Sequence, residues 1–203
     1  MGGEPAWHAA VIDLVYELIG DGLPKDYPLP LWRALESALP ELTGHPAAGV
    51  LPLKAADGGD VWLLPRRARL VLRLPTDLEE TGRRLCGQTL DVSGCLVRVG
   101  DCQRREIAAF PTLHAHHVAG SPDEVEFLAD VAQELGRLGV TAQVLCGRAQ
   151  RLDLGDQVVQ GFDLVLHDLK PEASLLLQRQ GLGDFRRFGC GLFVPHKTIT
   201  RLT

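Results

Sequence analysis

Apolar residues along this chain switch repeatedly between a period of two and a period near four. The segment AWHAAVIDLVYELIG, residues 6–20, alternates in places and is rich in Val and Ile, which predicts a strand over about 7–18. Pro28-Leu29-Pro30 then opens a helix whose Leu31, Trp32, Leu35 and Leu39 recur at helical spacing, with Pro40 at its end. Short apolar runs at 50–54 and 61–64, and a longer one at 69–74, read as strands. Thr76 is placed as the N-cap of a short helix reaching about Leu85, followed by strand-like stretches at 88–99 and 105–110. The second half repeats the order. A strand is expected over 112–119. Ser121-Pro122-Asp123-Glu124 then opens a helix to about Leu138, with serine as cap and proline in the first turn. Strands follow at 140–146 and 157–167, then a helix from Lys170-Pro171 to about Gln180, then a last strand at 192–194.

The predicted order is therefore β-α-β-β-α-β, twice. That is an α+β chain of two tandem ferredoxin-like (RRM-like, βαββαβ) units, with an N-terminal domain over 1–110 and a C-terminal domain over 111–203. About 100 residues per unit suffice to bury one helical face against one sheet face.

Composition adds constraints. The chain has 203 residues, 45% hydrophobic and 23% charged, and no apolar run near the ~20 residues of a membrane span. The first residues show no basic segment followed by an apolar core, so no signal peptide is expected. Five cysteines, with no C-x-x-C pair, fit reduced thiols in a cytoplasmic protein, and no structural metal site is expected. The net charge of −5 does not advertise a nucleic-acid binder, but it is unevenly spread: −6 over 1–60, +3 over 61–110, −4 over 111–147 and +2 over 148–203. The positive charge comes in arginine pairs, Arg66-Arg67, Arg83-Arg84, Arg104-Arg105 and Arg186-Arg187. Arginine suits two-pronged phosphate contact; each pair read singly is also an ordinary solvated turn.

The densest chemistry lies in GLGDFRRFGCGLFVPHK, residues 181–197, with a glycine-rich loop over 181–191. Its glycines are not spaced as a dinucleotide fingerprint, and it lacks the Gly-Lys-Ser/Thr of a P-loop. One reading is a bare backbone surface that meets phosphate, with arginines alongside. The other is a helix C-cap and tight turn into an edge strand.

The stretch SLLLQRQGLGDFRRFGCGLFVPHK resembles the C-terminal signature of the CRISPR repeat-processing endoribonucleases of the RAMP superfamily, in particular their small Myxan-type branch. Ser174, Gln178, Gly181 to Gly183, Arg187 and Gly189 to Pro195 stand in the signature's places. The resemblance implies cofactor-free and metal-independent cleavage of precursor CRISPR RNA within its repeats, by attack of a ribose 2′-hydroxyl. Products would be a 2′,3′-cyclic phosphate and a 5′-hydroxyl. It also implies a repeat stem-loop as partner, retention of the processed RNA, and association with other subunits of a CRISPR surveillance complex. The residues expected to bind RNA are Gly181, Gly183, Arg186, Arg187, Gly189, Gly191, His196 and Lys197.

Such enzymes place their acid or base on the first helix or in the loop after it. Here Asp26-Tyr27 stands where relatives have an aspartate–histidine pair. Leu42-Thr43-Gly44-His45 stands where they have Leu-His-Glu. His45 is thus the catalytic candidate, with Tyr27 and Lys54 as helpers. A second histidine group, His114, His116 and His117, lies on a predicted strand and reads as a cleft lining or exposed face. Two alternatives stay open: a non-catalytic RAMP subunit that holds guide RNA, and a small-molecule regulatory domain. Salt-dependent RNA binding separates the last from the others.

Overall fold

The computed structural model describes residues 10–196. Trp7, His8 and Lys197 lie outside them. The chain divides into two compact units, one formed by residues 1–107 with 186–189, the other by 108–185 with 190–203.

In the first unit the alternation of β1 (Val11–Ile19) sends Ile12, Leu14 and Tyr16 to one face, all fully buried. Burying each such side chain contributes about 1.5–3 kcal/mol. They meet β6 (Arg69–Pro75) and β8 (Cys95–Glu106), which flank β1 on either side. Helix α2 (Glu79–Arg83) comes close because it presents Gly82. A Cβ there would sit 2.5 Å from Leu14 Cδ1, and the Gly82 carbonyl accepts from Tyr16 Oη at 2.8 Å. Helix α1 (Pro28–Ala38) buries Leu31, Trp32 and Leu35. With β3 (Gly49–Val50) and β7 (Thr89–Val92), the sheet order is β3-β6-β1-β8-β7, antiparallel throughout. This is the ferredoxin-like order with one extra edge strand. A small sheet of β2 (Gly22–Pro24), β4 (Ala56–Asp57) and β5 (Val61–Leu63) is added to it.

The second unit is the plain form of the same fold. Strands β9 (Leu113–Ala119), β10 (Gln143–Asp153), β11 (Val158–His167) and β12 (Val194–Pro195) are ordered β10-β11-β9-β12. Helices α3 (Glu124–Arg137) and α4 (Pro171–Gln180) cover one face, burying Phe127, Val131, Leu135 and Leu177 in its core. Ser174 and Gln178 of the signature serve this packing. Ser174 Oγ accepts from Phe110 N–H at 2.9 Å, and Gln178 Nε2 donates to the Ala108 carbonyl at 2.8 Å.

Several expected boundaries shift for local reasons. The two strands expected at 88–99 and 105–110 are a hairpin instead. Ser93 and Gly94 turn it with φ of 49° and 85°, and Asp91 Oδ1 accepts from Gly94 N–H. The cap of α3 is Asp123, whose carboxylate accepts from Val125 and Glu126 N–H. Ser121 accepts from Asp123 N–H one step earlier. Thr76 caps nothing; it starts a short 3-10 turn over Thr76–Leu78. Beyond Val50 the expected strand to Lys54 is irregular backbone.

Candidate active site

Between α1 and β3 the chain makes a 3-10 turn at Pro40–Leu42 and then a loop that carries His45. The loop is tightly wound: His45 N–H donates to the Leu42 carbonyl, and Ala48 N–H to the His45 carbonyl. Ala47 N–H donates to His45 Nδ1 at 3.3 Å. With Nδ1 accepting, the neutral ring carries its proton on Nε2. The half-buried imidazole therefore offers a donor, not an acceptor, at its other end.

Tyr27 is the residue at the N-cap of α1, and its Oη accepts from Leu53 N–H at 3.1 Å. Burial pushes its phenol above the ordinary value, an effect the Leu53 bond only partly offsets. Tyr27 therefore stays neutral and can donate but not act as a phenolate base. Lys54 follows directly and is exposed. Tyr27, Leu31, Leu51, Pro52, Arg187 and Phe188 line one small cavity, so Tyr27 and Arg187 share a surface.

The arginine pair of the glycine loop splits. Arg187 is exposed, with its guanidinium 4.7 Å from the centre of the Phe188 ring. Arg186 turns inward. Its Nε donates to the Ala47 carbonyl at 3.0 Å, while Nη1 and Nη2 are buried and find no acceptor. Burial, then the like charge of Arg73, pull its guanidinium down to about 9, and Asp13 opposes them. The two arginines expected side by side on one surface thus part: Arg187 is exposed, and the Arg186 tip offers no surface.

Nearby, on the face of the β1 sheet away from Tyr16, Asp13 lies opposite Arg73 and Arg105. Arg73 Nε and Nη2 grip the Asp13 carboxylate at 2.7 and 3.0 Å, and Arg105 Nη2 adds a contact at 2.7 Å. Burial alone would raise the Asp13 carboxyl, but the two guanidiniums hold it below the carboxylate range. The other arginine pairs are largely engaged too: Arg83 and Arg104 with Glu79, and Arg84 with Glu41. Of the paired arginines, Arg66, Arg67 and Arg187 are exposed and have no ion pair among the described residues. Sequence reasoning missed the Asp13 cluster because an isolated aspartate in an apolar strand carries no spacing signal.

The loop glycines mostly shape backbone. Gly181, Gly189 and Gly191 are buried and only Gly183 is exposed. Gly191 has φ of 66°, and a Cβ there would sit 2.0 Å from the Leu182 carbonyl oxygen. Its N–H donates to the His117 carbonyl at 2.7 Å. His196 is exposed, its ring 5.5 Å from that of His114 on the neighbouring strand. His116 is exposed and His117 buried. Among the described residues, no group of three or more His, Cys, Asp or Glu gathers as metal ligands would.

A family model described as Cas6 CRISPR matches residues 12–198. The CRISPR-associated endonuclease Cas6 of Myxococcus xanthus (strain DK1622) is 32% identical over 193 residues, covering 94% of this chain and 84% of that protein. A solved structure of a CRISPR-associated Cas6 protein superposes with a TM-score of 0.68 at 10% identity, covering 92% of this chain and 100% of that one. Thermus thermophilus Cse3, solved with an RNA representing a pre-cleavage complex, gives 0.54 at 18% identity, over 91% of this chain and 98% of that one. The structural likenesses support the duplicated ferredoxin-like fold, and the family match over almost the whole chain decides the membership: this chain belongs to the Cas6 family of CRISPR-associated proteins.

Proposed function

We propose that this chain is an endoribonuclease that cleaves precursor CRISPR RNA within its repeats and works without a metal or other cofactor. The observation that carries the reading is the 32% identity, across 94% of the chain, to a protein named as a CRISPR-associated endonuclease. The His45 loop is what gives it a chemistry.

In the reaction, the 2′-oxygen bonds to the adjacent phosphorus and the bond from phosphorus to the 5′-oxygen breaks. The 2′-hydroxyl loses one proton and the 5′-oxygen gains one, so no co-reactant is required. His45 sits on the donating side of that balance. With Nδ1 taken by Ala47 N–H, Nε2–H is assigned the role of donor to the phosphorane and the leaving 5′-oxygen, where negative charge develops. With Nδ1 accepting from Ala47 N–H the ring is neutral, so its Nε2–H stabilises the developing charge by hydrogen bonding while water supplies the proton that the 5′-oxygen gains. Tyr27, held neutral, is a further donor, and the exposed Lys54 and Arg187 supply positive charge for phosphate. Exposed Gly183 in the loop and exposed His196 after β12 are further positions that can touch RNA, while Gly181, Gly189 and Gly191 hold the loop in shape. The partner is a repeat stem-loop, retained after cleavage for other subunits of a surveillance complex. The five unpaired thiols suit a cytoplasmic setting.

The test is incubation of repeat RNA with the purified chain in EDTA. Cleavage at one position, leaving a 2′,3′-cyclic phosphate and a 5′-hydroxyl, is expected; dependence on added metal overturns the mechanism. A second reading, a guide-RNA-holding subunit that does not cut, is favoured by the Tyr27 oxygen being committed to Leu53 N–H. Tight repeat binding with no cleavage under any condition would select it.

A further inference from the structure

Arg186 is poorly explained as a device for stability. It is a buried cation beside another cation, and two of its three nitrogens have no acceptor. Nor is it available to solvent as a phosphate binder. The one bond it makes is specific. Nε–H donates to the carbonyl of Ala47. The N–H of that same residue donates to His45 Nδ1. Ala47 is itself buried at 8% exposure, so its peptide groups have little water to exchange with. The loop between them is short and wound, with Thr43, His45 and Ala48 N–H all bonded within four residues of their acceptors.

We infer that Arg186 is a positioning residue for the catalytic imidazole: through the Ala47 residue it fixes the ring plane and the Nε2–H tautomer of His45. The inference rests on the reading of His45 as the reactive group. The logic is that of an outer contact that sets which ring nitrogen carries the proton. If Ala47 drifts, Nδ1 loses its donor, both tautomers become accessible, and the fraction of rings presenting Nε2–H toward phosphate falls. This divides labour between adjacent residues of the glycine loop. Arg187 faces outward for phosphate, and Arg186 faces inward for the histidine loop. A buried guanidinium that binds one carbonyl and leaves two nitrogens unsatisfied is then retained for alignment rather than for stability.

The experiment uses the full chain with Arg186→Met and Arg186→Lys, alone and combined with His45→Ala. Single-turnover cleavage of repeat RNA at saturating protein should fall roughly 10-fold or more in Arg186→Met, as misalignment of a reacting group does. The RNA dissociation constant should change less than about twofold, since the guanidinium tip is buried. In the His45→Ala background, Arg186→Met should have no further effect on rate. Arg186→Lys, which can still donate to Ala47, should recover part of the rate. Independently of activity, nitrogen-15 spectra of labelled histidine should show His45 as the Nε2–H tautomer in the native chain and as a mixture in Arg186→Met. Thermal stability of Arg186→Met should not drop, because an uncompensated buried cation is removed. An additive rate loss in the double variant, or an unchanged tautomer in a folded Arg186→Met, overturns the inference. If the native chain cuts no RNA, the functional reading fails, and the tautomer spectrum still decides whether Arg186 holds the ring.

Discussion

The two units share one topology and differ in what they carry. In the second, four strands and two helices close over an apolar core, and Ser174 and Gln178 are satisfied by nearby partners. The first adds an edge strand, a three-stranded side sheet and the wound loop after α1. It also takes charge inside, with Asp13 and Arg73 each 1% exposed and Arg186 buried with two bare nitrogens. The contrast separates scaffold from chemistry. The common βαββαβ framework needs only alternating apolar strands and amphipathic helices. His45, the candidate catalytic residue, lies where the first unit departs from that minimum.

The comparison can be broken most sharply at Asp13. Asp13→Ala leaves Arg73 and Arg105 without their carboxylate and should destabilise the first unit by about 3–5 kcal/mol, measured by denaturant unfolding. The counterpart in the second unit is Gly191→Val. A β-branched residue at φ of 66°, against the Leu182 carbonyl, should cost about 3 kcal/mol or more and lower the yield of folded protein. Its loss of RNA handling would then follow from folding rather than from a lost contact.

Acid should act on the units in different ranges. Burial lowers the His117 and His114 imidazoles below their ordinary value. Their stabilising effect is complete above about pH 6.5 and falls as pH descends through the lowered folded values. Asp13 is a depressed carboxylate, so its contribution persists to about pH 3.9 and is lost only below it. Hydrogen exchange followed against pH should show the second unit loosening first. The smallest effect belongs to the exposed arginine: Arg187→Ala should weaken repeat binding and reduce the slope of log affinity against log salt by about 1. Arg186→Met should leave that slope unchanged.

Much of the scaffold was legible because strand alternation and proline-led helix starts are local signals. Pro28 and Pro171 both begin helices as read. The β7–β8 hairpin was not, because Ser93-Gly94 is flanked by apolar residues that prolong the alternation through the turn. At the site, His45 stood out by residue type and position, but its tautomer depends on a backbone N–H two residues on. The opposite directions of Arg186 and Arg187 were illegible for a different reason. They follow from the loop's reversals at Gly183, Phe185 and Gly189, with φ of 70°, 63° and 95°, and one of these is not a glycine.

In the proposed reaction a ribose 2′-hydroxyl of the repeat is the nucleophile and His45 serves it. A series of repeat RNAs, each with a single 2′-deoxy nucleotide, measures this directly under single-turnover conditions in EDTA. Substitution immediately upstream of the cut should abolish cleavage while leaving binding intact, and all-ribose RNA should be cut roughly 100-fold more slowly by His45→Ala. Cleavage of that deoxy substrate at the native rate, or products ending in a 3′-hydroxyl and a 5′-phosphate, would contradict the account.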